Sequence, residues 1–197
     1  MTMHSASLSG VPAALATALQ NMLGKKDVRF CKIAAEGNQA FERGDNEVAA
    51  RLFEDAVAEA NALFAAARTD TSFLIAPMAY TIACNNIAAV KARTGEWKAA
   101  YELRLRAVTR LIDVAESLTE PLALRLSCVR QLRNAVAFLS NALSPPGNSG
   151  HRTELKSILE RYRDISGQLT KIATAELLIQ EEPTSSTSLR RSGSRNH

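Results

Sequence analysis

The sequence predicts an all-α fold, a stack of about six or seven helices that pair as antiparallel hairpins. The composition favours helices, because alanine and leucine are abundant and aromatic residues make up only 5% of the chain. Apolar residues recur at the i, i+3, i+4, i+7 spacing of a buried helix face, and no stretch alternates with the period of a strand. Two glycines, Gly44 and Gly95, interrupt helical stretches in the same register. These features predict helices joined by a sharp turn at each glycine.

The length of 197 residues indicates one structural domain with flanking segments. We assign 1–26 to an N-terminal segment with a weak helix, 27–182 to the helical domain, and 183–197 to a disordered basic tail. The weak helix runs from Val11 to Leu23. The tail reads PTSSTSLRRSGSRNH and has almost nothing apolar to bury, which predicts disorder.

The first hairpin of the domain lies on either side of Gly44. Its first helix runs from Asp27 to Arg43 and stops at the glycine. Its second helix begins after Asp45 and carries a long apolar face formed by Ala49, Leu52, Phe53, Ala56, Ala60, Leu63, Phe64 and Ala67. Other helices must cover that face.

The second hairpin follows the TDTS turn at 69–72 and bends at Gly95. Its first helix, the third of the domain, ends at Thr94, and Pro77 lies in its first turn or kinks it. The fourth helix runs from Glu96 to Leu118 and has two apolar stripes, so it is expected to lie between neighbours in a layered stack. The stripes are Ala100, Leu103, Ala107, Leu111 and Val114, and Trp97, Tyr101, Leu105, Val108 and Ile112.

Two further helices are predicted beyond Thr119 and Pro121. The fifth helix ends near Leu143, where the loop SPPGNSG at 144–150 breaks the chain. The sixth helix then runs to about Glu181. We interpret this pair as a degenerate third hairpin or a cap, because the last unit of a stack would otherwise expose its apolar face.

The two glycine corners share the pattern small-x6-Gly-x4-Ala-x6-Ala. The first copy is formed by Gly37, Gly44, Ala49 and Ala56, and the second by Ala88, Gly95, Ala100 and Ala107. The small residue seven positions before each glycine lets two antiparallel helices approach closely, and the glycine allows a tight turn. The following alanines admit the neighbouring helices, so the pattern indicates repeated, stacked hairpins.

This pattern resembles the tetratricopeptide repeat over residues 30–57 and 81–108. The resemblance implies a right-handed stack of helix pairs with a concave, peptide-binding groove. The sequence departs from the family in several respects, which include Glu36 and Lys91 at usually apolar positions and the absence of the proline that usually closes a repeat. The corners are 51 residues apart, where the family repeats at about 34 residues, so the second and third helices must be long or carry an insertion near the TDTS turn. Arg104 also stands where the family prefers an aromatic residue.

The resemblance also implies a set of groove residues on the first helix of each pair. Asn38 and Asn86 fall where carboxylate-binding members of the family use asparagines, whereas Ala34 replaces the lysine of that clamp. Arg125 of the fifth helix is a candidate for the missing charge, as are Arg130 and Arg133. The predicted partner-binding groove therefore consists of Asn38, Phe41, Glu42, Asn85, Asn86, Arg93 and Arg125, together with Ala34 and Ala89.

Charge along the chain is asymmetric, with a net charge of +4. Acidic residues dominate from Glu36 to Asp70, and basic residues dominate from Lys91 to Arg133. This distribution favours an acidic partner at the second hairpin or head-to-tail contact between copies of the chain. The preferred function is an adaptor or chaperone-like module that binds a protein or peptide segment.

Two alternatives remain. The fourth and fifth helices and the RRSGSR stretch of the tail could contact nucleic acid, which we regard as the less favoured function. Exposed apolar stripes could instead serve homo-oligomerisation.

The sequence predicts a cytoplasmic protein without catalytic residues, metal sites or cofactors. The apolar run near the N-terminus follows no Lys or Arg and is too short to span a bilayer, so no membrane association is expected. His4, His151 and His197 lie far apart in the sequence, each without an evident nucleophile or metal partner. Cys31, Cys84 and Cys128 lack metal-binding spacing and are expected to be buried free thiols.

Overall fold

A computed structural model describes residues 27–142 and 151–180 of the chain. Over these residues the fold contains six α-helices and no strand, which confirms the all-α prediction. The predicted helix from Val11 to Leu23 and the predicted disordered tail at 183–197 lie outside the described residues. The helices are α1 (Val28–Arg43), α2 (Asn46–Ala66), α3 (Ala76–Arg93), α4 (Trp97–Glu116), α5 (Leu122–Asn141) and α6 (Arg152–Gln180), with a 3-10 turn at Thr71–Phe73.

The two predicted glycine corners have the same backbone geometry. Gly44 and Gly95 both have a φ of 85°, in the left-handed region that glycine adopts without steric cost. The N–H of each glycine donates to the carbonyl three residues earlier, at 3.0 Å for Gly44 and 3.2 Å for Gly95. The N–H of the next residue donates to the carbonyl five residues earlier, at 2.9 Å for Asp45 and 2.8 Å for Glu96. Each corner is therefore a Schellman-type ending, and neither glycine lies within a helix.

Close approach of α1 and α2 depends on the missing side chain of Gly37. A Cβ built on this residue would lie 2.5 Å from Cε1 of Phe53, well inside van der Waals contact. The Phe53 ring is 1% exposed and occupies the space that any larger residue at position 37 would need. The sequence pattern predicted a small residue here for this reason.

Successive helices pack against one another along the chain, and α3 lies at the centre. α3 contacts α1, α2, α4 and α5, so the first helices of the three pairs lie side by side in the order α1, α3, α5. α6 packs on both α4 and α5. This arrangement is compatible with a helical repeat. Only four residues of α3 retain appreciable solvent exposure, namely Met78, Ala89, Lys91 and Arg93.

One continuous apolar core links α1 to α6. The Phe64 and Tyr80 rings meet edge to face with centroids 5.8 Å apart, joining α2 to α3. Cys84 and Cys128 are buried and Cys31 is half-buried, all three as free thiols. Burial raises the pKa of the Cys84 thiol and raises that of Cys128 to about 12.

The segment Thr71–Arg93 is long and apolar enough to cross a membrane by length and composition alone, and it is the single such segment among the described residues. Within this protein, 67% of its most apolar window is buried. A helix at the centre of a protein core can have the same apolar composition as a membrane-spanning helix, because it must bury nearly its whole circumference.

Polar side chains attach α6 to α4. The Tyr101 hydroxyl donates to the Glu154 carboxylate at 2.6 Å, and the His151 ring lies against Tyr101 with centroids 4.1 Å apart. The Arg161 guanidinium donates to the Glu116 carboxylate at 2.6 Å. Among the described side chains of α6, the buried apolar residues are Ile158, Ile165 and Leu169.

Replacing Gly37 with alanine should destabilise the fold, because the added methyl group would force Phe53 to move. We expect Gly37→Ala to lower the free energy of unfolding by about 1–3 kcal/mol. Gly167→Ala is the matched control, since a Cβ at Gly167 meets nothing within 4 Å. The control should raise stability by roughly 0.5–1 kcal/mol, because alanine is the better helix former. Urea denaturation of both variants tests this, and equal shifts would contradict the packing role of Gly37.

Candidate partner-binding surface

The first helices of the three pairs form one surface, which we call the odd-helix face (α1, α3 and α5). Met78, Ala89 and Arg93 lie 11 and 4 residues apart, so they follow one line along α3. Arg93 reaches α1, which places this exposed line beside that helix. The predicted groove residues belong to the three helices of this face.

Asn38 and Asn86 meet across the α1–α3 contact, as side chains of one groove would. The Nδ2 group of Asn86 donates to Oδ1 of Asn38 over 3.3 Å. Asn86 is only 4% exposed, whereas Asn38 is half-buried. The amide of Asn86 therefore joins two hairpins, and Asn38 is the more accessible of the pair.

Phe41 and Arg93 form a second bridge between α1 and α3. The Arg93 guanidinium carbon lies 3.2 Å from the Phe41 ring centroid, in a cation–π geometry. The same guanidinium donates from Nη1 to the backbone carbonyl of Phe41 in the last turn of α1. Glu42, the next residue, is exposed. No residue pattern indicated that Arg93 would bind a helix-end carbonyl.

Asn85 and Arg125 point to α4 rather than to α1. Oδ1 of Asn85 accepts a hydrogen bond from Nε of Arg104 at 3.0 Å. Nε of Arg125 donates to the carbonyl oxygen of Ala115 at 2.9 Å, near the C-terminal end of α4. The structure thus brings together Asn38 with Asn86 and Phe41 with Arg93, but gives Asn85 and Arg125 separate partners.

Five arginines on α4 and α5 form no ion pair with a described carboxylate, whereas Lys98 of α4 pairs with Glu102 at 3.9 Å. Among the described residues no carboxylate lies within ion-pair distance of Arg104, Arg106, Arg110, Arg130 or Arg133. The Arg110 guanidinium instead lies 4.8 Å from the ring centroids of Phe64 and Tyr80. Nearby acids therefore neutralise only part of the basic charge on α4 and α5.

The chain matches no protein-family model, no curated protein and no solved structure. Within the described ranges, no group of three or more His, Cys, Asp or Glu side chains is arranged to hold a metal ion.

Removing the Arg93 side chain should loosen the α1–α3 contact. We expect Arg93→Ala to cost about 1–2 kcal/mol of folding free energy, because both the cation–π contact and a charged hydrogen bond are lost. Arg51→Ala is the control, since Arg51 is an exposed arginine of α2 outside this contact. It should change stability by less than about 0.5 kcal/mol. Thermal denaturation of both variants measures the difference, and a neutral Arg93→Ala would show that the bridge contributes nothing.

Proposed function

We propose that this chain is a cytoplasmic, tetratricopeptide-like interaction module, an adaptor or chaperone-like protein that binds a partner segment on the odd-helix face. The observation that carries the proposal is the side-by-side order of α1, α3 and α5. Stacked hairpins that align their first helices offer an extended binding surface.

Two features support binding on this face. The contacts of Asn38 with Asn86 and of Phe41 with Arg93 fix the relative position of the two hairpins. A surface held in place before binding loses less conformational entropy when a partner docks. Met78 and Ala89 add partly exposed apolar surface to the same face as the polar side chains of Asn38 and Arg93. A surface with both apolar and polar groups is suited to binding a peptide chain.

A bulky charge on the odd-helix face should block the partner. Ala89→Glu changes a half-buried residue of α3, and Ala58→Glu makes the same change at an exposed position of α2. Proteins that are recovered with the tagged wild-type chain from its native lysate would be identified. The protein recovered in the largest amount, called the companion below, would be purified and its binding measured by calorimetry. We expect Ala89→Glu to lower the affinity for that companion at least about tenfold, a loss of about 1.4 kcal/mol of binding free energy. Ala58→Glu should leave the affinity within about twofold of the wild-type value.

Circular dichroism must first show that both variants fold like the wild type. Equal binding by two folded variants would contradict the odd-helix face as the partner site. The nucleic-acid alternative has a different signature, because binding to phosphates falls steeply between 50 and 200 mM salt in proportion to the number of contacts, by about 10³-fold or more for six contacts. Binding of a single-stranded oligonucleotide with that steep salt dependence, and no specific protein companion, would favour the nucleic-acid alternative.

A further inference from the structure

The two hairpins differ in the contact between their own two helices, where three corresponding residues differ together. Residues in the second hairpin correspond to those 51 positions earlier, as the identical corners show. At this contact the first hairpin has Ala34, Gly37 and Phe53, and the second has Asn85, Ala88 and Arg104. The first set is apolar, whereas two of the three residues in the second set are polar.

The replacement has a steric reason. The Phe53 ring fits because Gly37 lacks a Cβ, which would lie 2.5 Å from the ring. Ala88 carries that Cβ and is fully buried, so a ring in the corresponding position would collide with it. Arg104 has an unbranched stem in place of a ring, and its guanidinium reaches Asn85.

Hydrogen-bond donors at this contact outnumber acceptors. Arginine has five N–H donors and no acceptor, and Arg104 uses its Nε–H for the Asn85 oxygen. Its terminal nitrogens and the Nδ2 group of Asn85 have no acceptor in the described part of the chain. None of these nitrogens is among the atoms sealed from solvent without a partner, so they remain accessible.

The charge of Arg104 is also uncompensated, unlike that of two other arginines. Arg68 and Arg161 donate to carboxylates of Glu120 and Glu116, which raise the pKa of each guanidinium. Burial lowers the pKa of Arg104, and no carboxylate opposes that shift. A partly buried cation with free donors is poised to accept an anion with two oxygens.

We propose that Arg104 and Asn85 form a binding site for a carboxylate group. The expected source is an acidic side chain or the C-terminal carboxylate of a peptide segment, and this source rests on the proposed function. Two terminal N–H groups of Arg104 match the two oxygens of a carboxylate, and the Asn85 amide supplies a further donor.

Nuclear magnetic resonance titration tests the site directly. The Arg104 Nε–H signal, assigned by its loss in Arg104→Leu, reports on the guanidinium. The probes are an acetylated and amidated alanine pentapeptide with a central glutamate, the same peptide with glutamine, and an acetylated alanine pentapeptide with a free C-terminus. We expect the glutamate peptide or the free C-terminus to shift the signal, and the glutamine peptide to leave it unchanged. Which of the two carboxylate peptides binds more tightly identifies the source.

The residues of the first hairpin guide the design of a variant that should fold but lack the carboxylate site. Asn85→Ala, Ala88→Gly and Arg104→Phe together install the residues that already pack in the first hairpin. This triple variant should bind the carboxylate peptide at least about tenfold more weakly than the wild type. Arg104→Leu alone is the second variant, should the triple variant not fold. Arg106→Leu removes the same charge at an exposed position of α4 and should stay within about twofold.

Three outcomes would overturn the proposal. The glutamine peptide could bind as well as the glutamate peptide, Arg106→Leu could weaken binding as much as Arg104→Leu, or a short single-stranded oligonucleotide could show the Arg104 dependence while the peptides do not. Because these probes are purified, the result is independent of the companion experiment. Arg104-dependent peptide binding together with a neutral Ala89→Glu would refute the odd-helix face and retain the carboxylate site.

Discussion

The enclosure of α3 by four other helices is the constraint on which the rest of the structure depends. A helix in this position must be narrow and apolar on nearly every side, and α3 meets the requirement with many alanines. Its polar side chains must then find partners within the protein. Asn86 bonds to Asn38 of α1, and Asn85 bonds to Arg104 of α4. The polar contacts of α3 with α1 and with α4 therefore follow from its central position.

Local signals in the sequence predicted the course of the backbone well. These signals affect the chain only nearby. The glycine corners and Pro77 set the backbone within a few residues, and Gly37 allows the adjacent helix to approach. The long spacing between corners is also explained. α2 spans 21 residues, and the connection at 67–75 contains a 3-10 turn, so both predicted ways of lengthening the repeat are present.

Side-chain partners were far less predictable than helices. Asn85 and Asn86 are adjacent in sequence and were assigned to one groove, yet neighbouring residues of a helix point about 100° apart. They consequently face different helices. Arg93 and Arg125 bind backbone carbonyls of other helices, and no residue pattern marks such acceptors. Arg104 occupies a position where an aromatic residue is expected. Its difference from the residues of the first hairpin, Ala34 and Gly37, is the sequence signal that points to its partner.

The polar attachment of α6 to α4 has a consequence for cooperativity. In a stack each helix pair depends on its neighbours, so an end element can separate while the remainder stays intact. Among the α6 side chains that the structure describes, three apolar ones are well buried against the stack, and polar contacts to α4 run through Tyr101, Glu154 and Arg161. Exposed ion pairs weaken as ionic strength rises. Concentrated salt would thus promote sub-global opening at this terminus and convert a single folding unit into two.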